Sequence, residues 1–264
     1  MQYVDTHFHT LHFLPKETPA YDIFNELKLS GFAGGIDAGT HPDDIPLRRD
    51  VLEGVPGIRL SGGIHPGCLR NHSLEALEES MDELYRWARN GTICAVGECG
   101  IDRYRNHGTL EDQMQLFRMQ LEAARALDLP VIIHNREADR EIFKALEEIR
   151  PEAGGIMHCF SSDAETAERS AALGMHVSFA GNLTYRRNSG LRQAAQAVPL
   201  EFLLAETDSP YLSPEPMRGR PNHPGNVVYV YQALAQIRDM AVEVLMESVC
   251  ASLDRLLTRD ERTR

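Results

Sequence analysis

Ile93-Cys94-Ala95-Val96-Gly97, then Thr109 through Leu127, then Val131-Ile132-Ile133-His134: three pieces in this order decide the fold class. The two short runs are apolar without alternation, as parallel strands buried under helices on both faces are. Between them, Thr109 with Asp112 resembles a capping box, and Leu116, Phe117, Leu121, Ala124 and Leu127 form an apolar stripe that Pro130 ends. The unit recurs outward in both directions. Further strands are expected at Tyr3–Thr6, Ala33–Asp37, Ile58–Ile64, Gly155–His158, Met175–Phe179 and Phe202–Ala205, making eight in all. Ser73 is placed as an N-cap for a helix with Leu74, Leu77, Met81, Leu84 and Ala88 on one face and Gly91 beyond its end. Asp163 opens another helix that closes at Gly174, and Asn226–Ile237 is followed by a last amphipathic stretch, Val242–Leu257. Eightfold strand–helix alternation predicts an α/β single-domain (β/α)8 barrel of the TIM type over residues 1–264, with an extra C-terminal helix outside it. An open doubly wound sheet is the other topology the alternation allows.

Composition narrows the function. The chain has 264 residues, of which 42% are hydrophobic, enough for one substantial core and too many for disorder. It shows no long apolar run, so no membrane span is expected. Met1-Gln2-Tyr3-Val4-Asp5 lacks the basic flank and apolar centre of a signal peptide, and five Cys without CxxC spacing suit a reducing compartment, so a cytoplasmic location is expected. A net charge of −12 opposes generic binding to polyanions, so any such contact needs a local basic patch. Gly34-Gly35 and Gly62-Gly63 fit neither a dinucleotide nor a Walker pattern, and no nucleophile elbow is visible.

Barrel active sites lie at the C-terminal ends of the strands, so metal-type residues should collect there in a metalloenzyme. Eleven histidines spread evenly over 264 residues would put about one near eight strand ends; five stand there, His7, His9, His65, His134 and His158. Glu98 ends the fourth strand, and Glu206 and Asp208 end the eighth. By itself a His-x-His pair is more often packing than a ligand pair. His7 and His9, two apart on a strand, face one side, and Glu98, His134, His158 and Asp208 on four other strands turn the reading to metal. Six such residues exceed one tetrahedral shell. Two divalent ions (Zn, Mn or Mg) use all six if one carboxylate bridges, and Glu98 is the natural bridge. His65 is read as a group that touches the substrate or supports a ligand rather than a metal ligand itself, and Asp5 and Glu206, one pleat deeper than His7 and Asp208, as partners of imidazole N–H groups. His12, His41, His72, His107, His176 and His223 are read as surface or packing residues.

Three of the 27 basic residues are lysines and the other 24 arginines. Arg103, Arg105, Arg136, Arg186, Arg187, Arg218 and Arg220 fall on loops after strands, interleaved with Tyr104 and Tyr185. Such a rim around a metal mouth suits a phosphate-bearing substrate with stackable bases, and Arg103, Tyr104, Arg136 and Arg186 are its chosen contacts.

The order Asp5-Thr6-His7-Phe8-His9, Gly63-Ile64-His65-Pro66, Gly97-Glu98-Cys99-Gly100-Ile101-Asp102, His134-Asn135-Arg136, His158-Cys159-Phe160-Ser161 and Glu206-Thr207-Asp208-Ser209-Pro210-Tyr211 resembles the TatD family of metal-dependent deoxyribonucleases, within the amidohydrolase-like barrels. The resemblance runs nearly the whole chain. It implies that His7, His9 and Asp208 hold one ion, His134 and His158 the other, and Glu98 both, where many amidohydrolases use a carboxylated lysine. It implies hydrolysis of DNA phosphodiesters, 3′-5′ exonuclease-like; in the mechanism expected from these residues, Asp208 takes the proton of the attacking water and His65 and rim arginines fix the phosphate. Relatives more often carry Gly-Leu-Asp-Tyr and His-Thr-Arg where this chain has Gly100-Ile101-Asp102-Arg103 and His134-Asn135-Arg136; both departures spare the ligands and fall beside the expected substrate path. Alternatives are hydrolysis of a small phosphoester, lactone, amide or aminoacyl ester at the same site, and a non-catalytic metal-binding barrel.

Overall fold

The structure, a computed structural model, describes residues 1–14 and 19–258. Eight strands follow in chain order: β1 (Tyr3–Phe8), β2 (Phe32–Asp37), β3 (Ile58–Gly62), β4 (Ile93–Asp102), β5 (Val131–Arg136), β6 (Gly155–Met157), β7 (Met175–Phe179) and β8 (Leu203–Ala205). Each pairs in parallel with the next, in the order β1 to β8. The ends meet: Phe8 bridges Ser209 in parallel, the His9 amide donates to the Ser209 carbonyl (2.9 Å), and the Asp208 amide donates to His7 O (3.0 Å). The expected (β/α)8 barrel is therefore what the chain forms, and the open sheet is excluded.

The helices are α1 (Thr10–Phe13), α2 (Ala20–Leu29), α3 (Ile45–Val51), α4 (Leu74–Arg89), α5 (Leu110–Leu127), α6 (Asp139–Glu148), α7 (Ala164–Ala172), α8 (Ser189–Ala197), α9 (Val227–Arg238) and α10 (Val242–Leu257). Three of the expected caps are made: Ser73, Thr109 and Asp163 accept the amides of Ala76, Asp112 and Thr166. The extra helix α10 packs against β1, β8 and α9. Among the described residues, no helix is long and apolar enough to cross a membrane.

Strand ends differ from expectation where they matter most. The fourth strand runs five residues beyond Gly97, pairing Gly100, Ile101 and Asp102 with His134, Asn135 and Arg136. Glu98–Asp102 does not read as an apolar run because Glu98 and Asp102 face the barrel mouth and Gly100 lies between them, while Cys99 and Ile101 alternate into the core. Helix α5 holds that end, and the chain just after β3, in place with two buried glutamines two turns apart. Gln113 accepts from the Asp102 amide (2.9 Å) and donates to its carbonyl, and Gln120 does the same for Ile64 (2.7 and 2.9 Å). Each glutamine thus fixes the backbone next to a polar residue of the mouth.

Candidate metal centre

At the C-terminal ends of the strands lies a cup of about 770 Å³, walled by residues from His9 round to Leu212. Six side chains meet at its floor: His7 and His9 from the end of β1, Glu98 from β4, His134 from β5, His158 after β6 and Asp208 after β8. Asp208 turns there in the left-handed region (φ +54°), where the chain leaves β8 and closes onto β1.

Among the described residues, the donor atoms close enough together for one cation fall into three overlapping sets: His7, His9 and Asp208; His7, Glu98 and His158; and His65, Glu98 and His134. His7 Nε2 and His9 Nε2 are 3.2 Å apart, each 3.6 Å from Glu98 Oε2, and 3.8 and 3.4 Å from Asp208 Oδ1. Donors about 2.1 Å from one cation in a tetrahedron stand ~3.4 Å from each other, and the 3.2, 3.4 and 3.8 Å separations within His7, His9 and Asp208 suit a divalent ion. Glu98 Oε1 faces the other two imidazoles, 2.8 Å from His134 Nδ1 and 2.9 Å from His158 Nε2. The outer nitrogens are fixed as ligation requires: His9 Nδ1–H donates to Ala38 O (3.0 Å), His158 Nδ1–H to Glu206 Oε1 (3.2 Å) and His134 Nε2–H to Asp102 Oδ2 (3.3 Å). The other nitrogen of each of these three rings faces the cup floor, where an ion would take the place of its proton. The residues fit divalent metal ions.

The electrostatics agree. Burial alone would raise the Glu98 carboxyl, but the charge of His158 and the hydrogen bonds from His134 and His158 hold it well below the usual range. Burial opposes protonation of His158, yet Glu98 and Glu206 push it well above the ordinary imidazole value. Against burial, Asp208 and Glu98 carry His9 up to about 9. His7 moves the other way, lowered by burial and then by His158, whose ring stacks on it at 3.9 Å. The carboxylates thus favour the protonated forms of His9, His134 and His158, while His7 favours the neutral ring.

His65 is different. Its Nδ1 accepts the Gly67 amide (2.9 Å), so the neutral ring carries its proton on Nε2, which lies 3.6 Å from Glu98 Oε1. Burial, then the neighbouring His134 and His107, lower it to about 3 in spite of Glu98, so the ring stays neutral. Its position beside Glu98 and His134 is ligand-like, but its tautomer makes it a donor to the cup.

Other expectations need correction. Asp5 touches no imidazole: its Oδ1 accepts the amides of His7 (3.2 Å) and Thr207 (2.9 Å), and its Oδ2 the Thr207 hydroxyl, stitching β1 to the end of β8. Glu206 does hold an imidazole, that of His158, and also accepts the Cys159 amide (2.7 Å). Tyr104 and Arg136 line the cup, with the guanidinium 5.1 Å from the ring centre. Arg103 and Arg186 stand outside its wall; Arg103 instead donates to Glu141 (3.2 Å), because β4 continues to Asp102 and the next residue points away to α6. Arg70 and Arg105 line the wall in their place. His12, His41, His72 and His107, read as surface or packing residues, are also in that wall.

Asp102 was not singled out. Its Oδ2 lies against His134 and His107 (3.3 and 3.4 Å), while its Oδ1 accepts the amides of Tyr104 (3.0 Å) and Arg105 (2.8 Å). The signal was available: two-residue alternation from Glu98 leads through Gly100 to Asp102, once the strand is continued past Gly97.

Comparison with known proteins gives the same reading. The family described as TatD related DNase matches residues 4–258. The metal-dependent hydrolase YcfH of Escherichia coli strain K12 is 36% identical over 213 residues, 80% of this chain and 78% of its own. YabD of Bacillus subtilis strain 168, also described as a metal-dependent hydrolase, is 29% identical over 253 residues, 96% of this chain and 97% of its own. The crystal structure of YJJV, a TatD homologue from Escherichia coli K12, superposes with a TM-score of 0.88 at 27% identity, covering 97% of both chains. A barrel of this closure, with imidazoles and carboxylates gathered on the floor of its mouth, and a family match along almost its full length lead to one conclusion: the chain belongs to the TatD family and is a metal-dependent hydrolase.

Proposed function

We propose that this protein hydrolyses phosphodiester bonds of DNA with two divalent ions, Zn, Mn or Mg, held by His7, His9 and Asp208 on one side and His134 and His158 on the other, with Glu98 between them. The observation that carries the reading is the placement of Glu98: Oε2 faces the His7–His9 pair, and Oε1 faces His134 and His158. When bound, the ions supply Lewis acidity, lowering the pKa of a water and drawing charge from the phosphate oxygens.

The chain's own groups do the rest. Asp208, fixed by the β8–β1 closure with its carboxyl lowered against burial by His9 and His158, is the ionised base that receives the proton of the attacking water. His65 Nε2–H, on a ring that stays neutral, donates to a non-bridging phosphate oxygen as charge grows there. Arg136 and Arg105 in the cup wall hold the phosphate from outside, supplying local positive charge that a chain of net −12 otherwise lacks.

The test uses metal-loaded enzyme with 3′-labelled single-stranded DNA, duplex DNA, RNA and p-nitrophenyl esters in parallel. The reading expects cleavage of DNA, lost in His134→Ala with the fold retained. Turnover of the esters with none of any oligonucleotide assigns the same floor to small-ester hydrolysis instead.

A further inference from the structure

The two most exposed large aromatic residues of the cup stand on opposite walls. Tyr104, 66% exposed, lies two residues beyond β4, and Tyr211, 51% exposed, follows β8; in an eight-stranded ring those strands are four apart in either direction. The polar floor lies between them. Both rings are open to the cup, so each offers a face to whatever enters it.

Each ring is set in place by the centre itself. The amide of Tyr104 donates to Asp102, the carboxylate that also holds His134, and the Arg136 guanidinium backs the ring at 5.1 Å. The amide of Tyr211 donates to the Asp208 carbonyl (2.8 Å), its own carbonyl accepts from Asn222 (2.6 Å), and its ring meets those of His9 and His12 edge-on at 6.1 and 6.3 Å. Anchored loops present these rings, so little ordering is left for a ligand to impose.

We infer that Tyr104 and Tyr211 are two base platforms, one on each side of the scissile phosphate, so that the bond cleaved joins two nucleotides splayed onto opposite walls. This rests on the phosphodiester reading above and adds to it a requirement on the substrate. Neighbouring bases in a duplex lie about 3.4 Å apart along the axis, and two bases on opposite walls of a barrel mouth cannot keep that stack. The step that enters the cup is therefore unpaired and unstacked. Because every base has a π-face, the platforms accept any sequence.

The experiment uses the full metal-loaded enzyme on labelled single-stranded oligonucleotides: one intact, one lacking the base 5′ to the cleaved bond, and one lacking the base 3′ to it. On intact DNA, Tyr104→Ala and Tyr211→Ala each raise KM roughly 10- to 100-fold at unchanged metal content, and Tyr104→Phe and Tyr211→Phe recover most of it. On the substrate lacking its own base each alanine substitution adds nothing further, while the other still raises KM; the two tyrosines thus answer to opposite sides of the bond. Alanine variants with wild-type KM, or both responding to the same missing base, overturn the inference while leaving phosphodiester hydrolysis standing. A wild-type enzyme that cleaves none of the three oligonucleotides overturns both readings, and does so before any variant is made.

Discussion

At the scale of single residues, hydrogen-bond partners separate ligands from donors of the same type. His9, His134 and His158 each give their outer N–H to an oxygen and turn the other nitrogen to a carboxylate on the floor, whereas His65 receives an N–H from Gly67 and turns its one proton inward. His65→Ala is therefore expected to lower kcat/KM by about 10²- to 10³-fold while metal content, measured by elemental analysis, stays at the wild-type level. Loss of metal in that variant would make His65 a ligand. The raised His9 gives a pH dependence of definite sign. Its metal-free value of about 9 exceeds the ordinary 6.5, so it stabilises the metal-free fold fully below 6.5, and that contribution is lost as pH rises through 9. Metal must displace the same proton, so affinity rises with pH between 6.5 and 9, by up to about tenfold per unit for this one group. Calorimetric titrations at the two ends of that window read it directly; equal affinities would contradict the assignment of His9. The histidines ending strands were legible in sequence because a strand end is a defined place. His12 and His107 were not, because they reach the cup from loops and a short helix whose path no periodicity reports.

Among the elements, apolar runs and caps located strands and helices well, and the polar strand ends were where they fell short. β4 lost Glu98–Asp102 and β1 lost His7 and Phe8 from the expected ranges, since a strand that turns polar at a functional mouth looks like a loop. A second kind of feature escaped as well: polar side chains that fasten elements beneath the site. Arg48 of α3 is buried, donating to Asp37 on β2 (Oδ2 2.9 Å, O 3.0 Å), to Asp44 (2.7 Å) and to the Ser61 carbonyl on β3 (2.7 Å). Asp37 also accepts the Thr10 amide (2.7 Å), next to His9. In sequence, Arg48 sits in a polar stretch and reads as solvated. Arg48→Met strands a buried carboxylate, and a loss of about 3–5 kcal/mol is expected in denaturant unfolding. A cost below 1 kcal/mol would show that the Thr10 amide alone suffices for the Asp37 carboxylate.

Over the whole molecule, closing the barrel also assembles the centre. β1 supplies His7 and His9 and β8 leads into Asp208, and these sequence-distant ends meet through Asp5 with Thr207, Thr6 with the Ala205 carbonyl and Ser178, and the backbone pairs at His7, His9 and Ser209. One strand alone cannot hold a cation; the ring brings the donors of β1, β4, β5, β6 and β8 to one floor, which is why the fold and the site were readable together. The most direct measurement is a metal titration of stripped protein followed by both elemental analysis and cleavage of a labelled oligonucleotide. The account predicts no cleavage without metal, recovery complete at two ions per chain, and neither two-ion loading nor cleavage in Glu98→Ala. Undiminished cleavage by stripped protein, or by Glu98→Ala, would contradict it.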